Sequence, residues 1–364
     1  MRTPTRALVA LSLVVICAVA LFAATLTIYQ AKQTPPVKLG TSGGNVYDKT
    51  SQYCCSGTLG ALVSKGGTQY ILSNNHVLAR SDQATVGEAV SQPGMVDSNC
   101  STTNSTIVAN YSSASKLGTN VDAALAQVVP GNVSSTGEIL TVGVPSATVG
   151  TPKAGMSVAK AGRTTGFTCA SIAATNTSVT VQYETQCGGG TTWNVSYTNQ
   201  VLINSRTFSA GGDSGSLIVD AATARPVALL FAGSSSTTIA NPIGDVMTKL
   251  GGITFVGGAD HKVACSTKKP RGAVAAASLT QAVKIKEKHA KRWMDDDDAV
   301  MAVGVSQDDA NDADAVVLVI VERGRKMRQD IPAMIDGVKT KVIFSDKIRA
   351  YGWNEQVRQS CAAK

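Results

Sequence analysis

Three residues of this chain could together perform nucleophilic chemistry: Ser214, His76 and Asp122. Ser214 lies in Gly211-Gly212-Asp213-Ser214-Gly215-Ser216, ahead of the apolar Leu217-Ile218-Val219. A nucleophilic serine must project from a tight turn whose N–H groups can face a developing oxyanion. Flanking glycines allow that turn without a Cβ clash, and the N–H groups of Gly212 and Ser214 are the natural donors. A plain Gly-Ser turn is the blander reading, so the serine needs a base, usually histidine. Only His76 of the three histidines precedes residue 259; His261 and His289 lie later and are assigned no catalytic role. His76 ends Tyr70-Ile71-Leu72-Ser73-Asn74-Asn75-His76, where an apolar strand would deliver it to a rim loop. A lone histidine is more often structural, and its pairing with the serine turn is what raises it. Asp122 directly precedes Ala123-Ala124-Leu125-Ala126. A carboxylate entering an apolar strand is costly unless a partner satisfies it, and an imidazole held in one tautomer is such a partner. A capping or turn aspartate is the alternative.

Short strands must position these residues. Between residues 41 and 258, segments rich in Val, Ile, Leu or Thr are bounded by Gly, Asn, Asp or Pro, with no convincing helix. Among them are residues 60–63, 69–73, 123–128, 179–183, 200–204, 216–219 and 227–231. That pattern predicts a sandwich or barrel. Residues 259–278 turn to Lys, Pro, Arg, Gly and Ala and read as a linker. Residues 279–364 then read as a small α+β domain. A helix is expected over 279–294, strands over 300–305, 316–321 and 338–344, and a helical stretch limited by Pro332 over 325–335. The run Asp295 to Asp298 reads as a solvated turn, with calcium binding as the sharper alternative.

The chain carries a net charge of +8, but residues 39–258 hold 10 basic and 10 acidic side chains. The excess sits at the ends, and no aromatic residues interleave with a basic stripe, which argues against nucleic acid as a partner. Arg2 and Arg6 open a chain that is apolar from Ala7 to about Ala24, the pattern of an export signal assigned to residues 1–31. The apolar character continues through Leu26, Ile28 and Tyr29. Because about 20 apolar residues can span a bilayer, an uncleaved anchor with membrane association through residues 7–29 is the alternative. Ile16 before Cys17 does not suit lipidation.

Beyond Cys17 there are seven cysteines at spacings that match no zinc motif, so disulfides formed outside the cytoplasm are expected. Cys169–Cys187, flanking a strand-turn-strand stretch, is the leading pair. Cys54 or Cys55 with Cys100, and Cys265 with Cys361, are further pairings. Seven is odd, so at least one thiol is left over or pairs between chains.

Taken together, the segments around His76, Asp122 and Ser214 resemble the trypsin/chymotrypsin-like serine peptidases, whose His, Asp, Ser order they share; subtilisin-like and α/β-hydrolase enzymes use other orders. Asn74-Asn75-His76-Val77-Leu78 and Asp122-Ala123-Ala124-Leu125-Ala126 look like a bacterial branch of that family. The resemblance covers residues 39–258. It implies a mainly β fold, a double antiparallel β-barrel of chymotrypsin type with the triad between the barrels, followed here by the small α+β domain. It also implies an extracytoplasmic serine endopeptidase acting on protein or peptide substrates without metal or cofactor. Ser214 would form the acyl-enzyme, His76 act as general base and Asp122 orient it, with the N–H groups of Gly212 and Ser214 as oxyanion hole. By the same analogy Phe208 falls at the floor of the specificity pocket, with Phe231 and Gly233 in its wall. No aspartate stands at the floor, which speaks against a strict Arg/Lys preference. No Ile-Val-Gly-Gly-like new N-terminus is visible near Gly40, so activation by an amine pairing with Asp213 is not expected. The C-terminal residues resemble a small module that accompanies bacterial trypsin-like domains, with inhibition, folding assistance and partner binding open as its role. The alternative reading is a catalytically weak or self-cleaving barrel, cutting in residues 259–278 and acting as a surface binding or structural protein.

Overall fold

The computed structural model describes residues 27–265 and 272–350, and the backbone of Gln359–Ser360. The first strands are β1 (Thr41–Asn45), β2 (Tyr53–Cys54), β3 (Gly57–Leu59), β4 (Ala61–Lys65), β5 (Thr68–Ser73), β6 (Ala89–Gln92), β7 (Thr106–Ala114) and β8 (Ala124–Val128). A one-turn helix, α1 (Asn75–Leu78), follows β5. The next group is β9 (Ser157–Lys160), β10 (Thr168–Ser171), β11 (Ala174–Gln186), β12 (Gly189–Asn204), β13 (Leu217–Asp220), β14 (Pro226–Gly233) and β15 (Thr237–Pro242). Helix α2 (Ile243–Lys249) and β16 (Thr254–Phe255) complete it.

Each group closes into a barrel. In the first, the order β4-β5-β8-β7-β6-β1-β3 ends on β3 and β4. Those two are halves of one strand broken at Gly60, whose N–H still bonds Leu72 O at 3.0 Å. In the second, β9-β13-β14-β15-β12-β11 closes because β10, paired with β9, runs on through Ile172 and Ala173 into β11. Closure removes the exposed edges that open sheets must protect. Strand β11 alternates as a barrel wall must: Val179, Val181 and Tyr183 are fully buried and the residues between them are not. One core cluster fills the first barrel with Leu59, Ile71, Leu72 and Leu125, and continues through Leu217 and Leu229 into the second. This is the expected double antiparallel barrel of chymotrypsin type.

The C-terminal α+β part consists of α3 (Ala276–Asp296), β17 (Val300–Gln307), β18 (Ala315–Glu322), β19 (Met334–Ile335), β20 (Val338–Ser345) and β21 (Gln359–Ser360), the last paired with β2. Helix α3 sets Ala282, Ile285, Ala290 and Trp293 against Val303, Val317 and Val319 of the sheet. The sheet is not separate from the barrel, because β17 pairs antiparallel with β11 from Ala174↔Ser306 to Val179↔Ala302. Residues 325–335 form an irregular, bent stretch and the short β19 rather than a helix; Pro332 has no N–H to give a helical ladder. Asp295 pairs with Lys291, Asp297 accepts from the N–H groups of Ala299 and Arg328, and Asp298 meets the Arg328 guanidinium. The acidic run is thereby spread over separate partners.

Several expectations change. Residues 259–265 of the expected linker are stitched to the barrels: Val263 is buried, and its N–H bonds Ala221 O at 2.9 Å. Residues 266–271 lie outside the described residues, as do residues 1–26, Cys17 and Cys361. Tyr29 to Ala31, included in the expected signal segment, belong to the barrel surface. The Tyr29 ring packs on Gly166, its hydroxyl meets Thr141 Oγ1 at 3.0 Å, and Ala31 O accepts from Gln92 Nε2 at 2.9 Å. Among the described residues no helix is long and apolar enough to cross a membrane.

The disulfides are Cys54–Cys100, Cys55–Cys187 and Cys169–Cys265. Cys54–Cys100 agrees with expectation, while Cys169–Cys187 and Cys265–Cys361 are overturned. The 13 residues of β11 stand between Cys169 and Cys187. At about 3.3 Å per residue such a strand carries the chain roughly 40 Å away. Cys187 therefore reaches the first barrel at Cys55, and Cys169 takes Cys265 from the stitched segment.

Candidate active site

Helix α1 presents His76 at the rim of the first barrel. Asn74 and Asn75, ordinary loop residues by type, fix this turn through their side chains. Asn75 Nδ2 donates to Asp82 Oδ1 at 2.6 Å and Ser115 O at 2.7 Å. Asn74 Nδ2 donates to Asp122 O at 2.7 Å, tying the histidine turn to the aspartate's backbone. From the second barrel, Asn241 Oδ1 accepts the Asp122 N–H at 3.0 Å. So held, Asp122 Oδ2 lies 2.7 Å from His76 Nδ1, and both residues are buried, at 0% and 1% exposure. A carboxylate in such surroundings orients the imidazole through Nδ1, which donates to it.

A second donor shares that oxygen. Tyr183 OH donates to Asp122 Oδ2 at 2.8 Å and meets Tyr197 OH at 2.6 Å. Burial, and then the Asp122 charge, hold the Tyr183 hydroxyl well above the usual phenol range, so it remains a donor. Burial likewise raises Tyr197. Neither tyrosine was legible as a site residue; the only local signal is their place on the inward side of alternating strands.

Ser214 stands on the turn entering β13. Gly212 and Gly215 both have φ of +94°, a conformation that costs a non-glycine residue its Cβ clearance. A Cβ on Gly215 would come within 2.1 Å of Ser73 Oγ and 2.3 Å of Thr58 O. The first barrel clamps this turn: Thr58 N donates to Ser214 O at 2.8 Å, and Thr58 Oγ1 to Gly212 O at 2.9 Å. The N–H groups of Asp213, Gly215 and Ser216 go to the carbonyls of Ala210, Leu230 and Asp213. Those of Gly212 and Ser214 find no acceptor among the described residues. The Ser214 hydroxyl donates to Phe231 O at 3.4 Å.

Asp213 is fully buried beneath the turn. It accepts from the N–H groups of Thr164 and Ala210 at 2.8 and 2.9 Å and from Thr165 Oγ1 at 2.7 Å. Its charge partner is Lys160 of β9, Nζ 3.4 Å away and equally buried. Burial lowers the Lys160 ammonium, and the Asp213 charge opposes that fall. The buried Asp213 charge is thus met by an internal lysine from β9. Lys160 had no signal beyond a charged residue closing an apolar strand.

The expected pocket residues separate. Phe208 is fully buried in a cluster with Ile218 and Leu230, and Phe231 packs inward against Tyr197 with tilted rings 4.9 Å apart. Gly233 instead belongs to a strand edge. A register shift between Leu230 and Ala232 turns the carbonyl of Phe231 and the N–H and C=O of Gly233 outward from β14, on the Ser214 side. Bulges commonly re-aim groups in this way beside reactive sites.

A chymotrypsin-type double barrel with a buried His–Asp pair and a glycine-flanked serine turn is the class that fold and site define. No family model matches this chain, and no curated protein does. Solved structures similar to it are bacterial serine proteases of trypsin/chymotrypsin type. A glutamic acid-specific serine protease, described as using a histidine triad in substrate binding, is 20% identical with a TM-score of 0.44, covering 60% of this chain and 100% of its own. Thermobifida fusca protease A is 17% identical with a TM-score of 0.39, covering 60% and 98%. Cellulomonas bogoriensis chymotrypsin is 15% identical with a TM-score of 0.40, covering 61% and 99%.

Proposed function

We infer that the chain is a serine endopeptidase working outside the cytoplasm, with Ser214 as nucleophile, His76 as general base and Asp122 as the residue that orients it. The observation that carries this is the buried 2.7 Å contact between His76 and Asp122 in the wall against which the Ser214 turn is clamped. Ser214 turns from the Phe231 carbonyl toward the imidazole and attacks a peptide carbonyl. His76 takes the hydroxyl proton and returns it to the leaving amine. The N–H groups of Gly212 and Ser214 receive the oxyanion, and Lys160 supports their turn through Asp213. Water, deprotonated by His76, then releases the acyl group. Three disulfides suit an oxidising compartment.

The test is labelling with a fluorophosphonate, which needs an activated serine, at neutral pH. Labelling of the wild type that disappears in both His76→Ala and Ser214→Ala is expected. Labelling that survives His76→Ala, or a folded wild type that stays unlabelled, would overturn the assignment and favour a binding scaffold.

A further inference from the structure

Past β20 the chain leaves the C-terminal sheet and lies along the second barrel beside the serine turn. Ser345 Oγ meets the hydroxyls of Ser234 at 2.6 Å, Thr237 at 3.1 Å and Ser236 at 3.2 Å. Asp346 pairs with Arg323 at 3.0 Å and accepts from Ser235. Beyond these anchors Arg349 and Gly233 exchange both backbone hydrogen bonds: Gly233 N donates to Arg349 O at 3.0 Å, and Arg349 N to Gly233 O at 2.9 Å. On its other side the segment is held by β11, with Gln182 N donating to Ile348 O at 3.1 Å and Ala350 N to Gln182 O at 3.0 Å. Ile348 and Ala350 are buried in one cluster with Tyr183 and Phe231.

The position of this contact gives it meaning. Gly233 is two residues from Phe231, whose carbonyl accepts the Ser214 hydroxyl. In an extended strand, groups two residues apart face the same side. A peptide adding itself to this edge would therefore make a reciprocal pair at Gly233 and reach Ser214 two residues further on. Arg349 already makes that pair, in the antiparallel sense in which the chain advances toward Phe231.

We propose that residues 345–350 form an intramolecular strap occupying the peptide-docking edge of the active site, so that an extended substrate binds only by displacing it. The proposal rests on the serine-peptidase reading and gives the C-terminal part the inhibitory role among the three left open by sequence. The strap's hold on the docking edge itself is slight compared with its anchors elsewhere. Among the described residues one reciprocal pair holds it to β14, and Arg349 Nε is buried there with no hydrogen bond, a strain on the bound state.

Arg349→Pro in the full chain removes the N–H that donates to Gly233 and leaves every group proposed for catalysis in place. Loss of one hydrogen bond should raise kcat/KM for a tetrapeptide anilide roughly tenfold, mainly through KM. Hydrolysis of a single-residue ester, too short to need Gly233, should not change. In the wild type, binding of a tetrapeptide aldehyde should make the Arg349 amide exchange faster with solvent. Unchanged tetrapeptide kinetics in a variant that melts like the wild type, or an Arg349 amide that stays protected with the aldehyde bound, would overturn the strap while fluorophosphonate labelling still upheld the serine. Should neither wild type nor variant label, the serine reading itself fails and takes the strap with it.

Discussion

Tyr183 OH and His76 Nδ1 converge on one atom, Asp122 Oδ2, at 2.8 and 2.7 Å. The tyrosine thus helps fix which way the carboxylate faces, and so where the imidazole points. Hydrogen bonds to a charged group contribute about 1.5–3 kcal/mol. Tyr183→Phe should therefore lower kcat for a small ester roughly 10- to 100-fold with little change in KM. Steady-state kinetics with a melting curve checks this, and an unaltered kcat would reduce Tyr183 to a packing residue.

The same tyrosines should make the fold sensitive to alkali. Both have hydroxyl pKa values raised in the folded state, by burial first and then by the Asp122 charge. Above about pH 10 the unfolded chain loses these protons while the folded chain keeps them, so stability falls as pH rises. Each tyrosine contributes about 1.4 kcal/mol per pH unit in that range. Lys160, lowered when folded, contributes with the opposite sign. Urea midpoints at pH values below and above 10 should show a shallower alkaline decline in Tyr183→Phe/Tyr197→Phe than in the wild type. Equal declines would refute the assignment.

Lys160 and Asp213 are both fully buried, so removing one leaves the other charge without its counterion. Lys160→Met should cost about 3–5 kcal/mol. The double variant Lys160→Met/Asp213→Asn should cost less than the sum of the single changes by at least about 1 kcal/mol. Denaturant titration of the four proteins measures this, and strict additivity would mean the lysine is not the partner that matters.

Cys55–Cys187 ties the first barrel to the β11–β12 hairpin across 132 residues of chain, whereas Cys54–Cys100 lies within the first barrel and spans 46. Replacing Cys55 and Cys187 by Ser should lower stability by about 2–4 kcal/mol through the freedom returned to the unfolded chain. The guanidinium midpoint reads it. A loss no larger than the spread between repeat titrations would show that the hydrogen bonds of Thr58 suffice to hold the barrels together.

What residue type and local setting could announce was legible without coordinates. A serine between glycines, one histidine at a strand end and an aspartate at the mouth of an apolar run are local patterns, because their chemistry depends on immediate neighbours. Strand composition likewise pointed to a sandwich or barrel, and helical spacing announced α3. Pairings between distant segments were decided by tertiary structure alone. Lys160 under Asp213, Tyr183 on Asp122, Asn241 on the Asp122 backbone and Arg349 on Gly233 join residues 53, 61, 119 and 116 positions apart in the chain. Nothing in the neighbourhood of either partner marks the other. Two expected disulfides failed for the same reason: nearness along the chain suggested Cys169–Cys187, but an extended strand carries its ends apart, and only barrel closure sets which cysteines meet.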